Sequence, residues 1–247
     1  MAHFYLDESL VSATVGDRIS ITGAEARHAV TVSRLGVGES ISIGNGAGLV
    51  VAGVVVSAEH TELVVEVSAV TEVRRATPAV FLAQALAKGD RDELAVQVAT
   101  ELGVDGVIPW TAARSISRWE GAKVAKGRDR WAAVVREASK QSVRPWLPDV
   151  LDLVTTKQLA RLASTDQAEG VRMLVLEPTA ATPLSALDFD GRDLVLVVGP
   201  EGGITPQELD ALSAAGADIV RLGDEVLRTS TAGPAALAVL AVALGRW

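Results

Sequence analysis

Apolar and polar positions follow different periods in the two parts of this 247-residue chain. Over residues 1–72, apolar residues alternate with polar ones or form short Val-rich runs, and glycine-containing turns separate these runs. Farther along, unbroken apolar runs are interspersed with segments whose apolar residues lie three or four positions apart. The pattern predicts a small β-rich domain over 1–72, a short polar linker over 73–78 and an α/β domain over 79–247.

The first domain is predicted to be a barrel-like sheet with one short helix. Its strands are expected over 18–22, 39–43, 48–57 and 63–67, because turn signals divide these runs at the spacing typical of small barrels. The helix is expected over 24–32.

The second domain is predicted to contain a parallel sheet. Its buried strands are expected over 79–86, 106–110, 171–176 and Leu194–Val198, and a further strand should end at Leu222. Because helical segments separate these strands, their carboxyl ends should meet at one edge of the sheet. In open α/β folds that edge binds ligands.

Five helices are expected in this domain. Asp90 and Glu93 form a predicted capping box for a helix that buries Leu94, Val98 and Leu102. The other helices are expected over 127–142 with Trp131 in its buried stripe, over 155–163, from Pro206 after the capping pair Thr205 and Glu208, and over 233–244. The last of these is apolar all round, which favours burial in the core or against a second copy of the chain.

A glycine-rich turn over 199–203 connects the strand Leu194–Val198 to the helix that begins at Pro206. Gly202 and Gly203 permit backbone conformations and close approaches that a Cβ would prevent. Such turns often bind phosphate, but Glu201 would repel it, and the loop lacks a P-loop lysine. The turn therefore favours a ligand with hydroxyl groups or positive charge; a plain connection with Glu201 in solvent or capping the helix stays open.

Composition limits the possible chemistry. The chain has no Cys and three scattered His, so we expect no disulfide, no thiolate metal site and no zinc centre. No apolar run approaches the ~20 residues that span a bilayer, and the amino terminus lacks the pattern of a signal peptide. We therefore expect a soluble, cytoplasmic protein.

The net charge of −8 is unevenly distributed. Residues 114–144 contain 9 basic and 3 acidic side chains together with Trp119 and Trp131, and Trp146 follows directly. A basic stripe with interleaved aromatic residues is typical of RNA or single-stranded nucleic acid binding. A solvated helix face with tryptophans in the core is the alternative, and composition alone leaves both open.

Particular motifs suggest a family. Those in the second half of the chain are 176–178 (LEP), 199–203 (GPEGG), 222–223 (LG) and 226–232 (VLRTSTA). Four further segments are 84–90 (QALAKGD), 99–104 (ATELGV), 114–115 (RS) and 141–145 (QSVRP). Together they resemble SPOUT-superfamily methyltransferases, and more narrowly the family that methylates N3 of a uridine in 16S ribosomal RNA.

This resemblance implies a fold, a cofactor and partners. The first domain would be a PUA-like β-barrel, and the second a SPOUT sheet with a trefoil knot, one of the rare exceptions to unknotted topology. The cofactor would be S-adenosyl-L-methionine, the substrate 16S rRNA in the small ribosomal subunit, and the enzyme a homodimer. No metal is implied.

The resemblance also assigns roles to residues at matching positions. The residues implied to bind the cofactor are Leu176, Glu177, Gly199, Pro200, Glu201, Gly202, Gly203, Leu222, Gly223, Leu227, Thr231 and Ala232. Arg228 and, second, Arg114 are candidates to stabilise the uridine anion, although Arg228 could instead bind the cofactor carboxylate or pair with Glu225. The residues expected to contact RNA are His28, Arg34, Arg114, Arg118, Lys123, Lys126, Arg128, Lys140, Gln141 and Arg144.

One position departs from the family pattern: Ser230 stands where the family often has Glu. No role of that carboxylate carries over, and no residue is identified as the general base. Two alternatives therefore stay open. One is a SPOUT enzyme for another RNA position or a ribose 2′-hydroxyl, and the other is an RNA-binding, ribosome-associated protein without catalysis.

Overall fold

The computed structural model of the chain describes residues 3–163 and 170–247. It divides into two compact units. The first contains the residues up to Arg75 together with Ser139–Leu147, and the second contains Ala76–Ala138 and Pro148–Trp247. The segment Ser139–Leu147 thus lies far from the rest of the first unit in sequence, but packs with it.

The first unit is built on a five-stranded sheet. Its strands are β1 (His3–Leu6), β2 (Arg18–Thr22), β3 (Ser40–Gly44), β4 (Leu49–Glu59) and β5 (Glu62–Glu72). They lie in the order β1-β3-β4-β5-β2, and only β1 and β3 run parallel. Alternate residues such as Ile41, Ile43 and Val65 fill one core, as the period of two requires.

Two features of this unit differ from the sequence prediction. Strand β1 was not expected, because a four-residue run has too little periodicity to identify a strand. The predicted helix over 24–32 is instead a short helix, α1 (Gly23–Arg27), followed by a π-helical turn over His28–Val32.

The second unit is built on a parallel sheet, as predicted. Its strands are β6 (Val80–Ala85), β7 (Gly106–Thr111), β8 (Asp149–Val150), β9 (Val154–Thr155), β10 (Arg172–Leu176), β11 (Thr182–Pro183), β12 (Leu194–Val198) and β13 (Asp218–Arg221). They lie in the order β11-β13-β10-β12-β6-β7-β8, with β9 also paired to β7, and every pair is parallel. The central strand β12 is buried throughout, which explains its unbroken apolar sequence.

Five helices accompany this sheet: α2 (Arg91–Glu101), α3 (Ala122–Gln141), α4 (Thr156–Ala163), α5 (Pro206–Ala214) and α6 (Thr229–Ala243). Helix α5 begins with the predicted capping box, in which Thr205 and Glu208 satisfy each other's backbone N–H groups. Trp131 of α3 is 1% exposed, so it lies in the core as expected. Helices α3 and α6 begin five and four residues earlier than predicted, since their first turns are polar and outside the apolar stripe.

The prediction for α2 was wrong in two respects. Asp90 precedes the helix with φ of 57° and makes no capping bond. Instead Asp92 accepts hydrogen bonds from the backbone N–H groups of Ala87 (3.1 Å) and Glu93 (2.9 Å). The buried face is also different, because Leu94 is 48% exposed while small residues such as Ala95 and Ala99 are fully buried. Small side chains let α2 pack closely against α6.

Helix α6 packs on α2 and on the strands β6 and β12. A Cβ on Gly233 would lie 3.0 Å from the side chain of Leu82, so this glycine permits the close approach of α6 to the sheet. Pro234 lies inside the helix, where the prediction had placed it in the first turn. The trefoil knot stays a prediction.

The residues after α6 are anchored at the amino edge of the sheet. Arg246 donates hydrogen bonds to the backbone oxygens of Gly103 (3.1 Å) and Pro78 and to the carboxylate of Asp105 (2.8 Å). Asp105, 4% exposed, also accepts from the N–H of Val80 (2.8 Å). Helix α6 therefore runs between the two edges of the sheet. None of the helices in the described part of the chain is long and apolar enough to cross a membrane.

Candidate functional site

A cavity of the second unit opens at the carboxyl edge of the sheet. Strands β12, β10 and β13 are parallel neighbours, so the loops that follow Val198, Leu176 and Arg221 meet at one place. They enclose a pocket of about 460 Å³, which is within the range of small-molecule sites. The residues that line it are Arg91, Leu176, Glu177, Pro178, Val198, Gly199, Pro200, Glu201, Gly203, Ile204, Arg221, Leu222, Gly223, Glu225, Val226, Leu227, Arg228, Thr229 and Ala232.

Most of the residues implied to bind a cofactor lie around this one pocket. Gly202 and Thr231 do not line it, although both adjoin lining residues in the sequence. Of the two candidate catalytic residues, Arg228 lines the pocket and Arg114 lies behind the glycine turn. The individual roles of these residues stay predictions.

The glycine turn is shaped by close packing. Gly203 has φ of 73°, which favours glycine. A Cβ on Gly199 would lie 2.6 Å from Cγ1 of Ile204, and a Cβ on Gly202 would lie 3.0 Å from Cβ of Arg114. A side chain at any of these three positions would therefore strain the backbone or collide with a neighbouring residue.

Glu201 is held by an ion pair and a hydrogen bond. The sequence had left open that its side chain is free in solvent, and the structure does not support this alternative. Its Oε1 accepts from the backbone N–H of Lys88 at 3.1 Å and lies 3.0 Å from Nη1 of Arg91. Burial acts to raise the pKa of Glu201, but these donors and its own N–H outweigh burial and lower the pKa. Glu201 is therefore a carboxylate at neutral pH, and it fixes the glycine turn to the loop before α2.

A buried hydroxyl joins three segments at the base of the pocket. Thr229, 6% exposed, donates to the carbonyl oxygen of Gly199 (2.7 Å) and accepts from Nε2 of Gln84 (2.9 Å). Gln84 is fully buried at the end of β6, and Nε2 also donates to the carbonyl oxygen of Ala85 (3.1 Å). This network fixes the start of α6 against the turn.

A buried carboxylate, that of Glu208, positions the segment that carries Arg114. Its Oε1 accepts from the N–H of Ala113 and the hydroxyl of Thr156, both at 2.8 Å, while Oε2 accepts from the N–H and hydroxyl of Thr205. Arg114 in turn donates from Nη1 to the carbonyl oxygen of Gly202 at 3.0 Å. The loop after β7 is thus attached to α5 through Ala113 and Glu208, and to the glycine turn through Arg114 and Gly202.

Three arginines surround the pocket, and the sequence identified only one of them as a site residue. Arg228 is exposed and, within the described part of the chain, forms no ion pair with Glu225, so that alternative is not supported. Arg91 pairs with Glu201, and Arg221 donates to the carbonyl oxygens of Ala180 (3.0 Å) and Ala181. Arg91 was missed because its pocket position depends on Glu201, 110 residues away in the sequence.

The residues predicted to contact RNA are divided between the two units. His28, Arg34, Lys140, Gln141 and Arg144 belong to the first unit, and Arg114, Arg118, Lys123, Lys126 and Arg128 to the second.

Lys140 differs from the rest of this set in its environment. It is 8% exposed, and Nζ lies 3.1 Å from Oε1 of Glu25. Its charge is therefore satisfied inside the protein, and we leave Lys140 out of the RNA-contacting set proposed below. Among the described residues, no cluster of three or more His, Asp and Glu has the arrangement of a metal site.

Known RNA methyltransferases are similar to this chain over nearly its full length. A family model described as an RNA methyltransferase domain matches residues 75–241, and one described as an RNA methyltransferase PUA domain matches residues 21–68. The chain is 42% identical to the ribosomal RNA small subunit methyltransferase E of Mycobacterium bovis, over 92% of this chain and 87% of the relative. It is 31% identical to the protein of the same name from Bacillus subtilis, over 97% and 96% of the two chains.

Solved structures give the same result. The ribosomal RNA small subunit methyltransferase E from Neisseria gonorrhoeae, bound to S-adenosyl methionine, superposes with a TM-score of 0.86 at 27% identity and 98% coverage of both chains. A putative methyltransferase from Legionella pneumophila, in complex with the bound cofactor SAM, superposes with a TM-score of 0.85 at 28% identity and the same coverage.

The Glu208 network leads to a prediction about stability and pH. Burial alone would raise the pKa of Glu208, but the donors from Ala113, Thr205 and Thr156 lower it. Its stabilising contribution is therefore complete above the unfolded pKa of about 4.3 and is lost as the pH falls through the lower folded value. Glu208→Gln should reduce the free energy of unfolding by about 1–3 kcal/mol at pH 7.

Urea denaturation at several pH values measures this effect. The difference between wild type and Glu208→Gln should be constant from about pH 7 to 5 and should shrink below about pH 4. The exposed Glu120 provides the matched control, since Glu120→Gln should change the free energy of unfolding by less than about 0.5 kcal/mol. A difference for Glu208→Gln that is equally large at low pH would contradict the assignment.

Proposed function

The chain belongs to the RNA methyltransferase family, and we propose that it transfers a methyl group from S-adenosylmethionine to N3 of a specific uridine in 16S ribosomal RNA. The methyltransferase resemblance drawn from the sequence motifs is confirmed by the family model over residues 75–241 and by the relatives. The single observation that carries the proposal is the convergence of the three motif loops around one pocket of about 460 Å³.

The chemistry of the pocket fits S-adenosylmethionine, which supplies an activated methyl group on a sulfonium centre. Apolar side chains such as Leu176, Leu222 and Leu227 offer packing surface for an adenine ring, and the glycine turn exposes backbone groups beside it. Three carboxylates, Glu177, Glu201 and Glu225, and three arginines line the same cavity, so it can accept a ligand with both positive and negative groups. In this proposal the glycine turn admits a ligand that is not a phosphate.

Residues of the chain contribute mainly by positioning. Because Arg91 and the N–H of Lys88 hold Glu201, its carboxylate can provide a fixed negative charge near a sulfonium or accept from a ribose hydroxyl. The lowered pKa makes Glu201 a poor proton acceptor at neutral pH, so we do not assign it as the general base. Arg228, exposed at the pocket rim, is proposed to stabilise the negative charge that develops on the uridine as N3 loses its proton.

RNA contacts are proposed for exposed basic residues of each unit. These residues are Arg34 in the first unit and Arg114, Arg118, Lys123, Lys126 and Arg128 in the second. The proposed set also includes the exposed Gln141 and two half-buried residues, Arg144 and His28, and the ring centroid of His28 lies 6.3 Å from that of Tyr5. The PUA-type first unit supports RNA binding, and we propose a cytoplasmic location, where ribosomal RNA would be available to the enzyme.

A methyl-transfer assay tests the proposed reaction. Wild-type protein incubated with S-adenosylmethionine and unmodified small ribosomal subunits should yield 3-methyluridine, identified by mass spectrometry of the digested nucleosides. A 2′-O-methylated nucleoside would instead support a ribose-modifying enzyme, and failure to bind S-adenosylmethionine in calorimetry would leave an RNA-binding protein without catalysis. In the same calorimetry Gly199→Ala should bind at least tenfold more weakly, because its Cβ would displace Ile204 and the turn.

Arg228 should affect turnover more than cofactor binding. We expect Arg228→Ala to lower kcat by about 10²–10³-fold, the scale of losing one charge-stabilising donor, while the Kd for S-adenosylmethionine changes by less than about threefold. Arg192, which pairs with Asp190 just before β12 at the opposite edge of the sheet, is the matched control, and Arg192→Ala should keep wild-type turnover. The reverse pattern, with weak cofactor binding and normal kcat, would move Arg228 to the cofactor carboxylate.

We also propose that the enzyme is a homodimer. Supporting observations are the apolar side chains left exposed on and before α6, with Val226 at 79% and Val242 at 66%. Sedimentation velocity at micromolar concentration should therefore give a mass about twice the 25.7 kDa of the chain. Introduction of a charge by Val242→Asp should shift the protein toward the monomer, and a wild type that sediments as a monomer would refute the dimer.

A further inference from the structure

A second cavity of the same unit, of about 330 Å³, lies on the other side of the loop before α2. Its walls come from this loop, from the segment after β7 and from the first half of α3. Lys88, Ile116 and Trp119 are among the residues that line it, with Gly127 and Trp131 on the α3 side. None of the functional assignments above uses this cavity.

The aromatic wall of the cavity is Trp119, and α3 is adapted to hold it. A Cβ on Gly127 would overlap the indole ring of Trp119, so the ring lies directly on the helix backbone. Trp119 and the buried Trp131 pack edge-to-face, with their ring centroids 5.4 Å apart and their ring planes at 77°. Glycine inside a helix costs about 1 kcal/mol relative to alanine, and the close seating of Trp119 is what this glycine permits. The indole is nevertheless only half-buried.

Two exposed basic side chains, Lys88 in the wall and Arg118 adjacent to wall residues in the sequence, are available to a ligand of the cavity. Lys88 is exposed, and among the described residues its ammonium takes part in no ion pair. Arg118 is exposed and donates to the carbonyl oxygen of Ala113 (3.3 Å). Of the three acidic groups in the wall, Glu93 pairs with Arg130 at 2.8 Å, Asp92 accepts two backbone N–H groups, and Asp90 is exposed to solvent. An apolar ring with unpaired cations beside it suits a planar base attached to a phosphate.

The two cavities share one loop. Arg91 and Lys88 lie three residues apart, the first lining the cofactor pocket and the second lining the Trp119 cavity. Glu201, from the glycine turn, bonds to both of them. A nucleotide in the second cavity would therefore lie beside the methyl donor site, as a neighbour of the target uridine must.

We propose that this cavity binds an unstacked nucleobase of the RNA substrate, stacked on Trp119, next to the target uridine in the strand. This rests on the proposed function only in that the ligand is the RNA being methylated. The base–aromatic contact is tolerant of sequence, whereas Lys88 and Arg118 hold the adjacent phosphates.

Fluorescence anisotropy with a labelled, mixed-sequence single-stranded RNA octamer tests the proposal on the full-length protein. Trp119→Ala should weaken binding about 5- to 150-fold, the range found for loss of one base–aromatic stack, while Trp119→Phe should stay within about threefold of wild type. Phe189, a half-buried ring beneath Arg172 in the loop before β12, provides the control, and Phe189→Ala should bind RNA normally.

Salt dependence separates stacking from phosphate contacts. Trp119→Ala should leave the slope of log Kd against log salt unchanged, whereas Lys88→Ala and Arg118→Ala should each reduce it by about one. A role of Trp119 in folding alone would not produce this difference. Calorimetry should give unchanged affinity of Trp119→Ala for S-adenosylmethionine.

Two further measurements decide the matter even if Trp119→Ala does not fold. RNA should quench the tryptophan fluorescence of wild type, and this quenching should be largely absent in Trp119→Phe at equal occupancy. Gly127→Ala retains the indole but displaces it, and should weaken RNA binding as removal of the ring does. Equal quenching in wild type and Trp119→Phe, or wild-type RNA affinity in Gly127→Ala and Trp119→Ala, would overturn the proposal.

Other results would point elsewhere. Dissociation of Trp119→Ala in sedimentation would identify the cavity as a subunit contact, and loss of S-adenosylmethionine binding would identify Trp119 as a support of the first pocket; both overturn the nucleobase assignment. If wild type methylates small subunits while Trp119→Ala keeps the wild-type KM, this proposal alone fails. If wild type yields no methylated nucleoside but binds the octamer through Trp119, the proposed reaction alone fails.

Discussion

The hydroxyl of Thr229 is the contact on which the pocket depends. It is buried where β6, the glycine turn and α6 meet. Loss of its hydrogen bond to Gly199 or to Gln84 would leave a polar atom unpaired in the core. Since Thr229 is the first residue of α6, the contact sets where the preceding loop over 222–228 must lie. That loop forms one wall of the pocket, so a buried hydrogen bond determines the shape of an exposed site.

Two glutamates perform a similar task on the opposite sides of the glycine turn. Glu201 collects donors from the loop before α2, and Glu208 collects donors from the loop after β7 and from α4. Both therefore have lowered pKa values despite burial, and both remain charged at neutral pH. The glycines supply the conformation of the turn, and the carboxylates hold neighbouring loops against it. Flexible residues thus become a rigid site because their neighbours are fixed.

The sequence was sufficient for the five longer strands of the parallel sheet and for a pocket at their carboxyl ends, but the two-residue strands β8, β9 and β11 are too short for any periodicity to predict them. The run Leu194–Val198 and the capping pair Thr205 and Glu208 identify their elements by local chemistry alone, and the structure agrees with both. Helix α2 shows the limit of that reasoning. Its larger residue Leu94 is exposed while Ala95 is buried, because the face of α2 that is covered depends on where α6 and the sheet pack against it. Burial was decided there by a partner more than a hundred residues away.

The site residues that the sequence missed have the same explanation. Arg91 and Arg221 lie just outside the motifs at 84–90 and 222–223, and their places at the pocket depend on the contact of Glu201 with Arg91 and on the pairing of β13 with β10. Lys140 gives the opposite case: it belongs to a basic stretch that predicts RNA binding, but its ammonium is paired with Glu25 and buried. A basic residue in the sequence contributes to an RNA-binding surface only when its side chain is not buried against a partner inside the protein.

This distinction also explains how a chain with a net charge of −8 can bind a polyanion. The pocket carboxylate Glu201 is paired with Arg91, so the two charges largely cancel at the surface. Within the described residues, the exposed cations Lys88, Arg118 and Lys123 take part in no ion pair, and they lie in or next to the segments that line the second cavity. The local field near the site is therefore set by which charges remain unpaired, and the total charge of the chain is a poor guide to its partner.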